Sequence, residues 1–133
     1  MSVQVDITSE SRFPINRKKI REKIGDVVER HKMRGNVCVE VLVVGDRKMR
    51  TLNRTYRKVD QTTDVLSFPL EDPEQPVAFA KPPDGMLWLG SVVVSYPQAV
   101  AEAGEEGMLV DDKISFLIEH GIQHLLGIHH NND

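Results

Sequence analysis

The chain has 133 residues, of which 40% are hydrophobic and 28% charged, and its formal net charge is −3. This length and balance suit one globular domain with a substantial core and exclude a disordered chain. The single cysteine, Cys38, excludes a disulfide framework or a cysteine-rich zinc site, and we expect a buried strand thiol there. No apolar run approaches the ~20 residues that span a bilayer, and the N-terminus lacks a signal-peptide pattern. We therefore expect a soluble, cytoplasmic protein without a membrane partner.

Charge is distributed unevenly along the chain. Residues 1–58 hold 15 Lys/Arg against 7 Asp/Glu, whereas residues 59–133 hold 2 against 13. Such asymmetry indicates either a basic face for a polyanion or ordinary solvated helices rich in Lys and Arg. A basic face would steer an acidic ligand toward a site elsewhere in the fold.

The first part of the chain predicts a helix between two strands. The segment VQVDI (3–7) alternates as a short strand, and NVCVEVLVVG (36–45) is the clearest strand of the sequence. Between them, Asn16 is expected to cap a helix over residues 17–33. The apolar face of this helix consists of Ile20, Ile24, Val27 and Val28. His31, near the helix end, is expected at the surface, where the helix dipole favours it.

A second helix and a third strand follow. Asp46 is expected to cap a helix over residues 47–57. The inner face of that helix carries Met49, Leu52 and Tyr56. The segment TDVLSFPL (63–70) predicts a strand that Pro69 ends.

The next stretch predicts a loop, a strand and a short helix. Residues 71–85 are rich in proline and acidic residues, which indicates a loop. MLWLGSVVVS (86–95) predicts an apolar strand paired with the preceding one. Residues 97–106 predict a short helix, with Gly104 and Gly107 at its end.

The last predicted helix covers residues 111–126, with Asp111 or Asp112 as its cap. Its apolar positions are Ile114, Leu117, Ile118 and Leu125. Strands and helices interleave along the whole chain. We therefore expect a single domain over residues 1–133 with an α/β (α+β) fold, in which a small mixed sheet of about four strands packs against helices.

Four of the five histidines fall near the end of this helix. His120 and His124 are four residues apart, so both imidazoles leave one face of the helix, as in zinc-binding helices. A catalytic zinc usually takes three protein ligands and keeps one open position. Gly127 permits the left-handed turn that makes His129 or His130 available as the third ligand. The C-terminal helix is thus the predicted place of the metal site.

Counted to His130, the pattern is H-x-x-x-H-x-x-G-x-x-H, the ligand skeleton of the metzincin proteases with one change. Those enzymes carry a glutamate general base beside the first histidine, where this chain has Gly121. Glu119 projects from another side of the helix and does not replace it. Metal binding is therefore favoured over protease chemistry, with Zn²⁺ first and Ni²⁺ or Co²⁺ able to occupy the site in vitro. A purely structural zinc site is the alternative.

Three blocks of the sequence resemble one known family. HGIQHLLGIHH (120–130) resembles the H-G-x-x-H-L-x-G-x-D-H motif of the YbeY family of rRNA maturation factors. LNRTYRKVDQTTDVLSFP (52–69) and LGSVVVS (89–95) are similar to two further blocks of that family, in the same order. Two positions depart from the pattern, because His129 and Ser91 stand where the family usually has aspartate.

The resemblance implies a small α/β protein that uses one Zn²⁺ ion as a single-strand-specific endoribonuclease. It implies a role in maturation of the 16S rRNA 3′ end and in ribosome quality control, with rRNA and the ribosome or its associated proteins as partners. His120, His124 and His130 match the family's metal ligands, and Arg57 matches a functional arginine of the same cleft. His129 leaves open whether it or His130 is the ligand.

Basic residues suggest how RNA would be held. Arg57 would clamp a phosphate, because its planar fork matches two phosphate oxygens; the alternative is a surface salt bridge. His129 is a candidate for substrate binding or proton transfer by proximity. A phosphate track toward the metal would consist of Arg47, Lys48, Arg50, Arg54 and Lys58. Two other functions stay open: a nonenzymatic zinc-containing ribosome-assembly factor, and a metal-dependent hydrolase of a peptide or nucleotide.

Overall fold

Residues 2–33, 35–69 and 86–127 are described by a computed structural model. The predicted loop over 71–85 and the histidines at 129 and 130 lie outside the described residues. Within them the order of elements is β1 Val3–Ser9, α1 Arg17–Arg30, β2 Val37–Val44, α2 Asp46–Arg57, β3 Val65–Pro69, β4 Leu87–Ser95, α3 Tyr96–Glu106 and α4 Val110–Leu125. These elements form one small domain, and the predicted α/β class is confirmed.

The four strands form one mixed sheet in the order β1-β2-β4-β3. Strand β2 pairs in parallel with both β1 and β4, whereas β3 pairs antiparallel to β4. The central strands read VCVEVLVV and LWLGSVVVS, apolar runs typical of strands that are buried on both faces. Strand β3 is therefore an edge strand, and its antiparallel pairing with β4 confirms the predicted pairing.

Gly90 allows β3 to lie close against β4. Its φ of +132° lies outside the range that L side chains ordinarily adopt, and an added Cβ would come within 2.2 Å of the Phe68 carbonyl oxygen. The register between β2 and β4 shifts at the adjacent pair Cys38/Val39. Leu125 of α4 also lies near Gly90, since an added Cβ there would come within 3.0 Å of Leu125 Cδ2.

Two apolar clusters cover opposite faces of the sheet. Val39, Val41 and Val92 belong to the larger cluster, which includes buried residues of α1 and α4. Val44 and Val93 belong to the smaller one, which includes Met49, Leu52 and Phe68. Since side chains alternate along a strand, α1 and α4 lie on one face of the sheet and α2 on the other. The predicted inner faces of all three helices are confirmed.

Helix α1 begins as predicted and ends three residues earlier. The Asn16 side chain accepts a hydrogen bond from the Lys19 amide at 3.0 Å, which confirms the cap. Lys32 adopts a left-handed φ of 52°, and this ends the helix at Arg30. His31 is the exposed C-cap, as expected for the dipole, and its Nδ1 lies 2.7 Å from the Val27 carbonyl oxygen.

The predicted cap at Asp46 is wrong, because the N-cap of α2 is Gly45. Asp46 is the first helical residue, and its carboxylate accepts hydrogen bonds from the side chains of Thr62 (3.0 Å), Ser95 (2.9 Å) and Gln98 (3.2 Å). These bonds fix the start of α2 to the start of α3. The positive end of the helix dipole also stabilises the negative charge of Asp46.

The N-cap of the last helix also differs from the prediction, whereas the predicted position of Gly107 at the end of α3 is confirmed. The N-cap of α4 is Leu109, so Asp111 and Asp112 lie in the first helical turn, where the dipole favours them. Helix α3 continues through Gly104 and ends at Glu106, and its C-cap Gly107 has a left-handed φ of 67°. Among the described residues, no helix is long and apolar enough to cross a membrane.

Candidate active site

The imidazoles of His120 and His124 meet at one face of α4. Their Nε2 atoms lie 3.2 Å apart, and their ring planes are inclined by 77°. A tetrahedral zinc with Zn–N bonds of about 2.0–2.1 Å places two ligand nitrogens about 3.3 Å apart. The separation of the two nitrogens is compatible with binding to a single zinc ion. The described residues contain no group of three possible ligands, and the predicted third ligand, His130, lies outside them.

Gly121 lets α4 approach the sheet beside these histidines. A Cβ at this position would lie 2.6 Å from Val92 Cγ1 and 3.2 Å from Ser67 Oγ. The Ser67 hydroxyl donates a hydrogen bond to the Gly121 carbonyl oxygen at 3.3 Å. Position 121 therefore faces the sheet, and it has no room for the glutamate that metzincins carry there. The close contact also brings His120 to the edge formed by β3.

Arg57 reaches the same edge from the other face of the sheet. It is the last residue of α2, and its guanidinium donates hydrogen bonds to the carbonyl oxygens of Ser67 (2.8 Å) and Tyr56 (3.3 Å). Its Cζ atom lies 4.6 Å from the centre of the Phe68 ring, a cation–π distance. Ser67 therefore contacts both sides of the site: its carbonyl accepts a bond from Arg57 of α2, and its hydroxyl donates one to Gly121 of α4.

These side chains surround one cleft of about 510 Å³. It lies between β3, α4 and the C-terminal end of α2. The lining residues are Arg57, Asp64, Val65, Leu66, Ser67, Lys113, Phe116, Leu117, His120 and His124. The structure thus brings Arg57, His120 and His124 together. The Arg57 guanidinium at this open cleft offers a cationic group suited to a phosphate.

The other basic residues of α2 lie outside this lining. Arg54 and Lys58 are exposed, as are Arg47, Lys48 and Arg50. Asp60 lies 2.9 Å from the Arg50 guanidinium and 3.6 Å from that of Arg54. The hydrogen bond from Arg50 lowers the pKa of Asp60. The predicted track is therefore a solvated helix face whose charge is partly neutralised, next to the cleft rather than within it.

Sequence reasoning missed a charged network at the end of the cleft near α3. Lys113 is only 5% exposed, and its Nζ atom lies 2.8 Å from Glu106 and 3.2 Å from Glu102. The hydrogen bond that Lys113 donates to Glu106 raises the pKa of Lys113, although burial opposes this. Lys113 lies seven residues before His120, and this helical spacing could have placed both side chains on the same face of α4.

The structure also explains why serine stands at position 91, where the family usually has aspartate. Its hydroxyl donates a hydrogen bond to the Glu40 carboxylate at 3.1 Å, and both side chains are buried. The two residues are partners in the register of β2 and β4. An aspartate at position 91 would place a second carboxylate against Glu40, which would be costly in a buried setting. Serine instead donates a hydrogen bond to the carboxylate of Glu40 on the neighbouring strand.

Known proteins are similar to this chain over most of its length. A family model described as "Endoribonuclease YbeY" matches residues 5–133. Proteins named Endoribonuclease YbeY include one from Roseiflexus castenholzii, 32% identical over 128 residues that cover 96% of this chain and 79% of the relative. Another, from Dehalococcoides mccartyi, is 43% identical over 96 residues, 68% of this chain and 60% of the relative. A third, from Moorella thermoacetica, is 46% identical over 99 residues, 73% and 62% respectively.

The fold has a solved counterpart as well. A solution structure of a protein from Thermotoga maritima superposes with a TM-score of 0.58 at 25% sequence identity. The match covers 92% of this chain and 71% of the other. The match to the solved structure therefore extends over most of this chain, as the match to the family model does.

Proposed function

The chain belongs to the YbeY family of endoribonucleases, and we propose that it is a zinc-dependent nuclease that cuts single-stranded RNA. Its role would be in rRNA maturation, including processing of the 16S rRNA 3′ end, and in ribosome quality control in the cytoplasm. The observation that carries the proposal is the single cleft that joins Arg57 to His120 and His124.

His120 and His124 would hold the ion, and the sequence motif adds His130 as the third ligand. When bound, Zn²⁺ acts as a Lewis acid and lowers the pKa of its water toward ~7. Neutral imidazoles do not cancel the charge of the ion, and this leaves a cationic site for an RNA phosphate. The 3.2 Å separation of the two Nε2 atoms supports the assignment, because it is close to the spacing of two nitrogens bound to one zinc ion.

Arg57 would bind the phosphate and stabilise the charge that develops on it. Its guanidinium is held by the Ser67 carbonyl and the Phe68 ring, so that little conformational freedom is lost when substrate binds. Removal of one preorganised donor of this kind typically lowers kcat about 10²–10³-fold. We expect a loss in this range for Arg57→Ala.

The RNA strand would approach along the exposed face of α2. This face contributes charge without sequence readout through Arg47, Lys48, Arg50, Arg54 and Lys58. Aromatic residues make up only 5% of the chain, which offers few platforms for base stacking. Selection of the cleavage site would therefore rest on RNA shape or on ribosomal partners. His129 is a further candidate for substrate contact beside the motif.

The test is cleavage of a single-stranded RNA by metal-loaded wild type, His124→Ala and Arg57→Ala. We expect loss of both metal and cleavage in His124→Ala, and loss of cleavage with metal retained in Arg57→Ala. Arg21→Ala is the matched control, because Arg21 is an exposed arginine on α1, far from Arg57 in the sequence. Cleavage that persists in metal-free His124→Ala would contradict the proposal. Stoichiometric metal without any cleavage by wild type would instead favour a nonenzymatic assembly factor.

A further inference from the structure

Phe116 is an exposed aromatic side chain in the wall of the cleft. It lies on α4, lines the cleft together with Arg57, His120 and His124, and is 54% exposed. A single exposed apolar residue is ordinary on a protein surface. Its position inside a cleft, the state of the other aromatic rings and the support beneath this ring together point to a ligand that covers it.

The other aromatic side chains are already used by the fold. Those that the structure describes are all buried or half-buried: Phe13, Tyr56, Phe68, Trp88 and Tyr96. Phe13 and Tyr96 stack on each other with 4.9 Å between their ring centres. Tyr56 packs edge-on against Phe68 at 5.7 Å. Within the described part of the chain, Phe116 is therefore the aromatic side chain that is classed as exposed, and it is the one that lines the cleft.

Lys113 supports the Phe116 ring from one side. Its Nζ atom lies 5.0 Å from the centre of the ring, within the range of a cation–π contact. The same Nζ atom lies 2.8 Å from Glu106 and 3.2 Å from Glu102, and Lys113 is only 5% exposed. Two carboxylates thus fix the ammonium group on which the ring rests. A ring that is held before a ligand arrives loses little conformational freedom on binding.

Phe116 lies one helical turn before His120. Side chains four residues apart leave the same face of a helix, with about 5–6 Å between their Cβ atoms. Each base of an RNA strand is joined to its phosphate through a single ribose. A phosphate bound at Arg57 and the histidines would therefore have its base within reach of the Phe116 ring. An unpaired strand can turn such a base toward an aromatic side chain, whereas a duplex keeps it stacked.

We propose that Phe116 is the stacking platform for the base next to the scissile phosphate, an inference that rests on the proposed function above. Every base has a π face, so a stacking platform tolerates different sequences. The face of a purine is larger than that of a pyrimidine, and adenine should therefore bind better than uracil. The platform selects unpaired RNA with a purine beside the cut, without reading the edges of the bases.

Binding of short strands to the metal-free protein tests the platform without any need for cleavage. Fluorescence anisotropy gives the Kd for a labelled oligo(A) of about eight nucleotides and for an abasic strand of the same length. Phe116→Leu keeps an apolar side chain but removes the ring. We expect it to weaken oligo(A) binding about 5- to 150-fold and to change binding of the abasic strand less than about twofold.

Two further variants complete this test. Phe116→Trp should bind oligo(A) at least as tightly as wild type, because the larger ring retains the stack. Leu109→Ala is the matched control, since it removes an exposed apolar side chain that does not line the cleft. Its affinities for both strands should equal those of wild type. Urea unfolding of Phe116→Leu should give the midpoint of wild type, because the side chain is more than half exposed.

Salt dependence separates stacking from charge. Each phosphate contact made by lysine or arginine steepens the dependence of log Kd on log salt concentration. The phenyl ring carries no charge, so Phe116→Leu should raise the Kd by the same factor at low and high salt. Arg57→Ala should instead lower the slope. Wild type should bind oligo(A) more tightly than oligo(U), and this preference should shrink in Phe116→Leu.

Three results would overturn the inference and leave the proposed function in place. The first is equal affinity of wild type and Phe116→Leu for oligo(A). The second is an equal loss on the abasic strand, because the ring would then shape the cleft rather than contact a base. The third is a lower salt slope in Phe116→Leu, which would assign the loss to charge. If wild type binds neither strand, the proposed function itself fails, and the platform fails with it.

Discussion

Gly121→Ala tests the contact that places the histidine pair at the sheet edge. An alanine Cβ would lie 2.6 Å from Val92 Cγ1 and 3.0 Å from its Cγ2. Val92 is fully buried on a central strand, and its β-branched side chain has little freedom to turn away. Either the valine or α4 must therefore shift when a methyl group is added at position 121.

Two effects of opposite sign decide the magnitude. Overpacking a tight core by one methyl group costs about 1–3 kcal/mol. Replacing glycine by alanine inside a helix stabilises it by about 0.8–1 kcal/mol. The net expectation is a loss of about 1 kcal/mol in the free energy of unfolding. In a Val92→Ala background the obstructing methyls are absent, so Gly121→Ala should become stabilising by about 1 kcal/mol, a coupling of about 2 kcal/mol between the sites.

Urea unfolding of the four proteins of this double-mutant cycle measures the coupling. Gly104→Ala is the matched control, because it lies inside α3 and an added Cβ there meets nothing within 4 Å. The control should gain about 0.5–1 kcal/mol from helix propensity alone. If Gly121→Ala is stabilised as much as Gly104→Ala, the close approach of α4 to Val92 does not exist as described. Zinc affinity should also fall in Gly121→Ala, since the neighbouring histidines move with the helix.

Two further predictions concern titratable groups. The hydrogen bond from Arg30 lowers the pKa of Glu119 below its ordinary 4.5, assisted by Lys23. The stabilisation is therefore present above pH 4.5 and is lost as pH falls through the lower, folded-state pKa. Unfolding curves should show Glu119→Gln less stable by about 1 kcal/mol at neutral pH, with the difference closing in acid; a constant difference would refute this. Cys38 is 1% exposed and burial raises its pKa, so a maleimide should label it only as fast as the protein unfolds. Rapid labelling without urea would contradict its position.

Local patterns in the sequence predict the elements and their buried faces. The four apolar residues expected on α1 are the four that are buried there, and Ile114, Leu117 and Ile118 are buried on α4. Each of these faces follows from a spacing of three and four residues within one helix. The capping residues are harder to predict. Asp46 is a good cap by type, yet its carboxylate binds three side chains from distant parts of the chain instead.

The order of the strands depends on non-local pairing and is not contained in any local pattern. Strand β4 lies between β2 and β3, so the last strand in sequence occupies a central position. Its position is consistent with its composition, because the run SVVVS is buried on both faces. Composition alone does not identify its neighbours. The same limitation applies to β3, whose short, half-exposed sequence fits an edge strand only once the order is known.

Only the part of the candidate site that depends on local spacing or on the family motif could be predicted from the sequence. Helical spacing brings His120 and His124 together, and the family resemblance adds Arg57. Lys113 lies close to Glu102 because α3 packs beside α4, which no local pattern indicates. The sequence explains Gly121 only as the absence of a protease base. The structure gives a second reason for it, because the helix packs against Val92 at this point.

X-ray absorption at the zinc edge, on protein loaded with one equivalent of Zn²⁺, tests the central claim most directly. We expect nitrogen and oxygen neighbours at about 2.0–2.1 Å, with the outer-shell scattering of imidazole rings. The double variant His120→Ala/His124→Ala should retain no stoichiometric zinc. Wild-type protein that binds no zinc, or a spectrum that is unchanged in the double variant, would show that the metal centre is not on α4.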